Sequence, residues 1–418
     1  MNLVIPEVIS LHAAEAASLF ETREPVLDAP HVRLKDLQRG FDDRIAAHFD
    51  GLAIAGEHAW QSCEAALEQP SVGAVFTAAV CAMEEKREDR LEKLFALIGA
   101  IPETRAGLIS ALGWVERDRL LGIGTALLRS RDPLKRALGL AACSMHRVDP
   151  GLVSGEWLVD VDEPVRARAL RLVGEVGCDQ AVPACVAALS DSNPECKFWA
   201  AWSAVISGNR GVALDILTKV GLEAGSLRHR AFRLALQAIN PGKGHRLLQE
   251  LARATVDKRW LIEGSGLSGD PVYLPWLLKE MRERKIAPLA GEAFSLITGV
   301  DFVDRSLDTK PPESVETGPN DNPDDPNVDV DPDDGLPWPD VDKIEKWWAA
   351  NGSRFDKGTR YFMGAPVTRA HCIDVLKNGY QRQRILAAHY LCLLEPGTPL
   401  FNTSAPAWRQ QRLLAKMT

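Results

Sequence analysis

The chain has 418 residues, 46% of them hydrophobic and 25% charged, with Lys+Arg 49 against Asp+Glu 57 and a formal net charge of −8. That length exceeds what one hydrophobic core ordinarily supports, so two or three domains are expected. A protein built to hold phosphates shows the opposite charge balance, and no apolar run nears the ~20 residues that a bilayer requires, which argues against nucleic acid as a partner and against membrane insertion.

At the N-terminus, Met1 to Phe20 has no basic start and places Glu7, His12 and Glu15 where a secretory leader would be apolar, so a cytoplasmic protein is expected. Residues 1–69 read as an N-terminal helical cap. Leu94 to Leu112 then shows the apolar density of further helix without a marked start. The first clear start is Asp132-Pro133-Leu134-Lys135-Arg136-Ala137. It returns as Asp162-Glu163-Pro164-Val165-Arg166-Ala167 and as Asp191-Ser192-Asn193-Pro194-Glu195-Cys196, with the prolines 31 and 30 residues apart. An Asp or Asn just before or near the Pro supplies an N-cap oxygen, and Pro at the first helical position loses nothing by lacking an N–H. In the second copy Val165, Ala169, Leu172, Val173 and Val176 fall on one helical face, and Gly177 stands where a C-terminal cap belongs.

A period near thirty is the length of a two-helix unit, so residues 70–303 read as an α-solenoid of roughly five to seven antiparallel helix pairs. Second helices fit Ala181 to Leu189, Ala213 to Val220 and Arg246 to Ala254, and in stacked pairs the second helices line the binding side. Leu227 to Ile239 carries a further apolar face, Gly269-Asp270-Pro271 opens Val272 to Met281, and Pro288 opens the helix holding Leu296 and Ile297. The glycines of Gly264-Ser265-Gly266-Leu267-Ser268-Gly269 match a dinucleotide fingerprint in form only. No strand precedes them, and Arg284 stands where the acidic partner belongs.

Residues 304–342 break the helical pattern. From Pro311 to Asp342 there are 11 acidic residues and no basic one, and self-repulsion with several prolines predicts an extended acidic linker. Asp329, Asp331 and Asp333 alternate as in a calcium loop, but Pro332, Asp334 in place of the sixth-position Gly, and Asp340 in place of the closing Glu oppose that reading. Residues 343–418 then read as a small helical C-terminal domain. An Asp342-x-x-Glu345 start leads to Trp347-Trp348, followed by Phe355, Gly358, Arg360, Tyr361, Phe362, Gly364 and Pro366. Thr368 to Leu394 is a final helical pair, with Gln381, Arg382 and Arg384 opening its second member. Trp347 fits a mini-core, whereas Trp348, Arg360, Tyr361, Arg382 and Arg384 are the candidate protein-binding residues, since guanidinium groups and wide aromatic faces dominate interface energetics.

Catalytic patterns are lacking. The nine histidines include no His-Glu-x-x-His pair, and there is no Gly-Lys-Ser/Thr phosphate loop. His371 and Cys372 are adjacent, so on a helix their side chains point apart and cannot readily share a proton. The eight cysteines lie in helical context without a CxxC pair and read as small buried hydrophobes. No catalytic group, cofactor or metal ligand is assigned. A further class is an enzyme on a helical-repeat frame, such as a base-excision glycosylase or a bilin lyase; a glycosylase would want a basic groove with a carboxylate at its floor, which the net charge disfavours.

The N-terminal set Val8, His12, Glu15, Leu19, Arg23, Pro30, Leu34, Leu37, Arg44, His48 and Asp50-Gly51-Leu52 resembles an uncharacterised bacterial family of HEAT-repeat-like proteins. So do Ala111-Leu112-Gly113-Trp114, Gly269-Asp270-Pro271 with Pro275-Trp276-Leu277, and the C-terminal Trp347-Trp348, Gly358-x-Arg360-Tyr361-x-x-Gly364-x-Pro366 and Gln381-x-x-Arg384. The acidic linker departs from that family by its length and charge. Members are generally encoded beside type VI secretion genes, near spike-tip and effector-handling proteins. The resemblance implies an all-α, HEAT-like solenoid and a non-catalytic adaptor or chaperone for a secreted effector or spike component, or alternatively an immunity protein that neutralises a co-encoded toxin. It carries no catalytic residue over.

Overall fold

The repeated phrases open helices by the mechanism that their residues suggest. In the computed structural model, which describes residues 5–254, 257–312 and 333–417, the Asp132 carboxylate accepts from the Leu134 N–H at 2.9 Å, Asp162 from Val165 at 3.1 Å, and Asn193 from Glu195 and Cys196 at 2.9 and 3.0 Å. Each cap satisfies donors that the first helical turn leaves unpaired. The helices that follow, Pro133–His146, Glu163–Val176 and Pro194–Ile206, each carry Pro in the first turn. Gly177 ends the second at φ 70°, a left-handed conformation that costs a glycine little.

The fold is all-α and solenoid-like; among the described residues the strands are two short antiparallel pairs, Asp308–Thr309 with Trp338–Pro339 and Tyr361–Phe362 with Ala365–Pro366. Between the first helices runs a ladder of ion pairs. Arg136 grips Asp160 through two bonds of 3.0 Å, and Arg166 grips Asp191 at 2.8 and 3.2 Å. Each Asp also accepts the backbone N–H two residues on, of Asp162 or Asn193, and so fixes the start of the next repeat. The second elements after the first two capped helices are short, a 3-10 turn at Glu156–Val159 and a helix at Val182–Ala187 flanked by 3-10 turns at Asp179–Ala181 and Ala188–Ser190, whereas the expected second helices at Ala213 to Val220 and Arg246 to Ala254 lie in full helices, Val212–Leu222 and Pro241–Ala254.

Two compact units divide the chain, one of residues 1–213 with 377–418 and the other of residues 214–376. Residues 377–418 thus group with the start of the chain, and residues 343–376 with the second unit. The core of the first unit shows why. Phe20 stacks on Phe76 at 3.9 Å, Trp114 meets Phe76 edge-on at 5.6 Å, and Trp408 meets Trp114 edge-on at 5.1 Å, so a residue near the chain's end completes a core built from its start.

In the second unit, the glycine-rich stretch lies within the helix Lys258–Ser268, which Gly269 terminates at φ 70°. A Cβ on Gly266 would sit 2.9 Å from the Cα of Ala293, so the missing side chain lets that helix approach Ala287–Thr298 closely. The described ends of residues 304–342 pair with each other. Asp308–Thr309 pairs with Trp338–Pro339, and the Asp340 N–H donates to the Leu307 carbonyl at 2.8 Å. Asp340, two residues before the expected Asp342, caps the helix Val341–Asn351 through the Lys343 N–H at 3.2 Å. Asp333 is buried in a paired ion bridge to Arg259, at 2.7 and 2.8 Å. Asp329, Asp331 and the rest of residues 313–332 lie outside the described residues.

Candidate protein-binding surface

The five candidate residues divide between the units, and most of their polar atoms are spent within the fold. In the second unit Arg360 donates to the carbonyls of Leu236 at 2.8 Å, Ile239 at 2.5 Å and Ser268 at 3.1 Å, and also to that of Gln237. It donates to carbonyls at the C-terminal ends of two helices, where the last turn lacks intrahelical donors. Tyr361 is buried, and its hydroxyl accepts from the Asp356 N–H at 3.1 Å. Trp348 is half-buried against Phe355 and Phe294, with ring centroids at 5.7 and 6.1 Å.

In the first unit Arg384 is fully buried, bonded to Gln381 and, at 2.5 Å, to Gln410; burial brings its pKa down to about 10. The half-buried Arg382 donates to the Asp28 carbonyl at 2.9 Å. Arg360 and Arg384 thus spend guanidinium donors inside their own units, and Tyr361 is buried in the second. An Arg and an aromatic ring serve a core as well as a surface, and composition does not distinguish the two uses.

His371 Nε2 lies 2.7 Å from the Phe362 carbonyl, and burial pushes the Cys372 thiol up to about 12. A thiol so poorly ionised is a weak nucleophile. Burial likewise raises Cys185 and Cys392 to about 12.

What the first unit does leave open is the row of second elements. Each pins itself to the first helices by inward side chains, Leu120 and Leu127, then Leu152 and Leu158, then Ala181 and Cys185. Aliphatic residues beside these anchors face solvent: Leu121 at 73% exposure, Val153 at 59%, Val159 at 75%, Val161 at 95% and Val186 at 38%. Residues 121–128 and 182–190 carry no charge at all, and residues 151–159 only Glu156. Exposed aliphatics in or beside three successive second elements offer an interaction surface. The absence of charge was legible in the sequence; the exposure was not.

The C-terminal ends of the first helices are occupied by the chain's own residues 396–412. The Leu400 N–H donates to the Glu175 carbonyl at 3.0 Å, Arg147 donates to the Leu400 carbonyl, and Asn402 donates to Met145 at 3.1 Å. Arg409 then donates to the carbonyls of Gly113, Trp114 and Val115 at 2.6, 3.0 and 2.8 Å. Around this strap the charges are tightly matched. Burial alone would raise Glu175, but Arg171, Arg147, Arg168 and a bond from Ser144 bring it down to about 2. Burial and the neighbouring Arg409 bring His146 down to about 4, with its Nε2 2.8 Å from the Leu112 carbonyl. The sequence reads Pro396 to Thr418 as a cap on the array, but the bonds that tie it down were not legible, because carbonyl acceptors leave no signature in the residue types.

A family model described as HEAT repeats matches residues 155–237, which span the second and third capped helices and the start of the second unit. No match was found among curated proteins or among solved structures. No helix among the described residues is long and apolar enough to cross a membrane.

Proposed function

We propose that this HEAT-repeat-like chain is a non-catalytic scaffold that binds another protein through the second-element row of its first unit. Repeat arrays of this kind commonly work by presenting extended surfaces to other proteins. The observation that carries the reading is the set of exposed aliphatics Leu121, Val153, Val159, Val161 and Val186 in or beside the second elements, left open while the strap covers the helix ends. A polar rim with an apolar centre is the usual composition of such an interface.

On the resemblance of its N- and C-terminal motifs, we further propose that the partner is a secreted effector or a spike component of a type VI secretion system, held in the cytoplasm before export. The test is recovery of the tagged chain from its native host, with the partner identified and then reconstituted from purified components. Val159→Asp with Val186→Asp should weaken that complex tenfold or more, while the stability of the free chain changes by no more than about 0.5 kcal/mol, as expected for exposed positions. Recovery of no spike or effector protein, or a complex indifferent to both substitutions, would refute it.

The net charge of −8 favours a second reading, an immunity protein covering a basic toxin, because complementary charge speeds association. Co-expression separates the two. An immunity protein rescues cells from the toxin, whereas an adaptor changes export and leaves toxicity intact.

A further inference from the structure

Two histidines meet between the first helices of the first unit. His12 lies on Pro6–Val26 and His48 on Asp43–Ala55, and their Nδ1 atoms are 2.9 Å apart with the rings inclined at 63°. Gly51 sets the approach. A Cβ at that position would stand 2.9 Å from His12 Nε2, so the glycine lets the His12 ring rest on the backbone of the second helix and turns its Nδ1 toward His48. Both side chains are only half-buried, so solvent and small ions can reach them.

In the neutral pair, one Nδ1 carries the hydrogen and the other accepts it; two nitrogens thus converge on a single proton. Two imidazole nitrogens held by one tetrahedral ion at ~2.0–2.1 Å stand roughly 3.3 Å apart, so the pair needs to open by only about 0.4 Å. The charges nearby include one of each sign. Glu15, one turn from His12, favours a cation beside His48, and Arg44, one turn before His48, opposes it.

We propose that His12 and His48 form a two-histidine site for a divalent first-row transition metal ion, which replaces the shared proton and clamps the two helices together. Each Nδ1 gives its lone pair to the ion, the proton between the rings passes through water to the Nε2 of the ring that carried it so that both imidazoles stay neutral, and water fills the remaining positions. Among the described residues no three His, Cys, Asp or Glu side chains are grouped to hold a metal, so the protein supplies two donors here and the closeness of their approach sets the affinity. Two imidazoles favour copper(II) over nickel(II) or zinc(II) by the usual order of stabilities.

The test uses the full chain, prepared without a polyhistidine tag and titrated separately with copper(II), nickel(II) and zinc(II) while thermal unfolding is followed. Binding to the folded state should raise Tm by about 2–5 °C for each tenfold excess over Kd. The copper form should show hyperfine coupling to two nitrogens in its electron paramagnetic resonance spectrum. His12→Gln with His48→Gln should remove both the shift and the coupling. Arg44→Gln, at an exposed position that leaves the fold intact, should tighten binding severalfold. A parent chain that binds none of the three ions, or a double variant that keeps the parent's shift, would overturn the assignment.

Discussion

At the scale of single residues, the first unit is held by ionisable groups that the fold keeps far from their ordinary states. His146 titrates near 4 in the folded chain, where 6.5 is its ordinary value, because burial and Arg409 disfavour its charged form. The unfolded chain therefore takes the proton first. The stability that His146 contributes is present above pH 6.5 and is lost as pH falls toward 4. Glu175 follows in a lower window. Its Arg171, Arg147 and Arg168 neighbours outweigh burial and hold it near 2 against 4.5, so its contribution is lost as pH falls from about 4.5 toward 2. Urea unfolding of the first unit should accordingly show a midpoint that falls between pH 7 and pH 4. His146→Gln, which keeps a donor for the Leu112 carbonyl, should flatten that fall by on the order of 1–3 kcal/mol. A pH dependence that the substitution leaves unchanged would refute the assignment.

At the scale of helices, close approach decides more than propensity does. Gly266 sits inside a helix, where Ala would be favoured by about 1 kcal/mol. A Cβ there would meet Ala293 Cα at 2.9 Å and its Cβ at 3.0 Å, both belonging to a helix that cannot yield without losing its own packing. Overpacking of this kind costs about 1–3 kcal/mol, so Gly266→Ala should be destabilising in denaturant unfolding of the second unit. The same geometry explains why the glycine-rich stretch imitated a nucleotide loop. Its glycines serve contact between helices and one helix end.

For the molecule as a whole, the strap changes the character of the array. A repeat protein is ordinarily stabilised only by neighbour upon neighbour, which allows its ends to open independently. Here Arg409 and Leu400 bind carbonyls that belong to separate repeats and lie hundreds of positions earlier in the chain. Arg409→Ala leaves three carbonyls at a helix end without a donor, at a cost of about 1–3 kcal/mol for the buried groups. Native-state hydrogen exchange should then show lost protection across residues 105–176, with residues 258–298 of the second unit unaffected. Loss confined to the few residues that touch Arg409 would show that the strap does not couple the repeats.

The sequence by itself determined the helix starts, the repeat length and the all-α class. Asp132, Asp162 and Asn193 act on backbone N–H groups two or three residues away, and Gly177 ends its own helix; such local effects are written in the residues that produce them. Tertiary structure alone decided that Arg360 and Arg384 turn inward, that residues 377–418 join the first unit, and that His12 meets His48. Each of these depends on which distant backbone or ring lies opposite, and a carbonyl acceptor is the same whatever residue bears it.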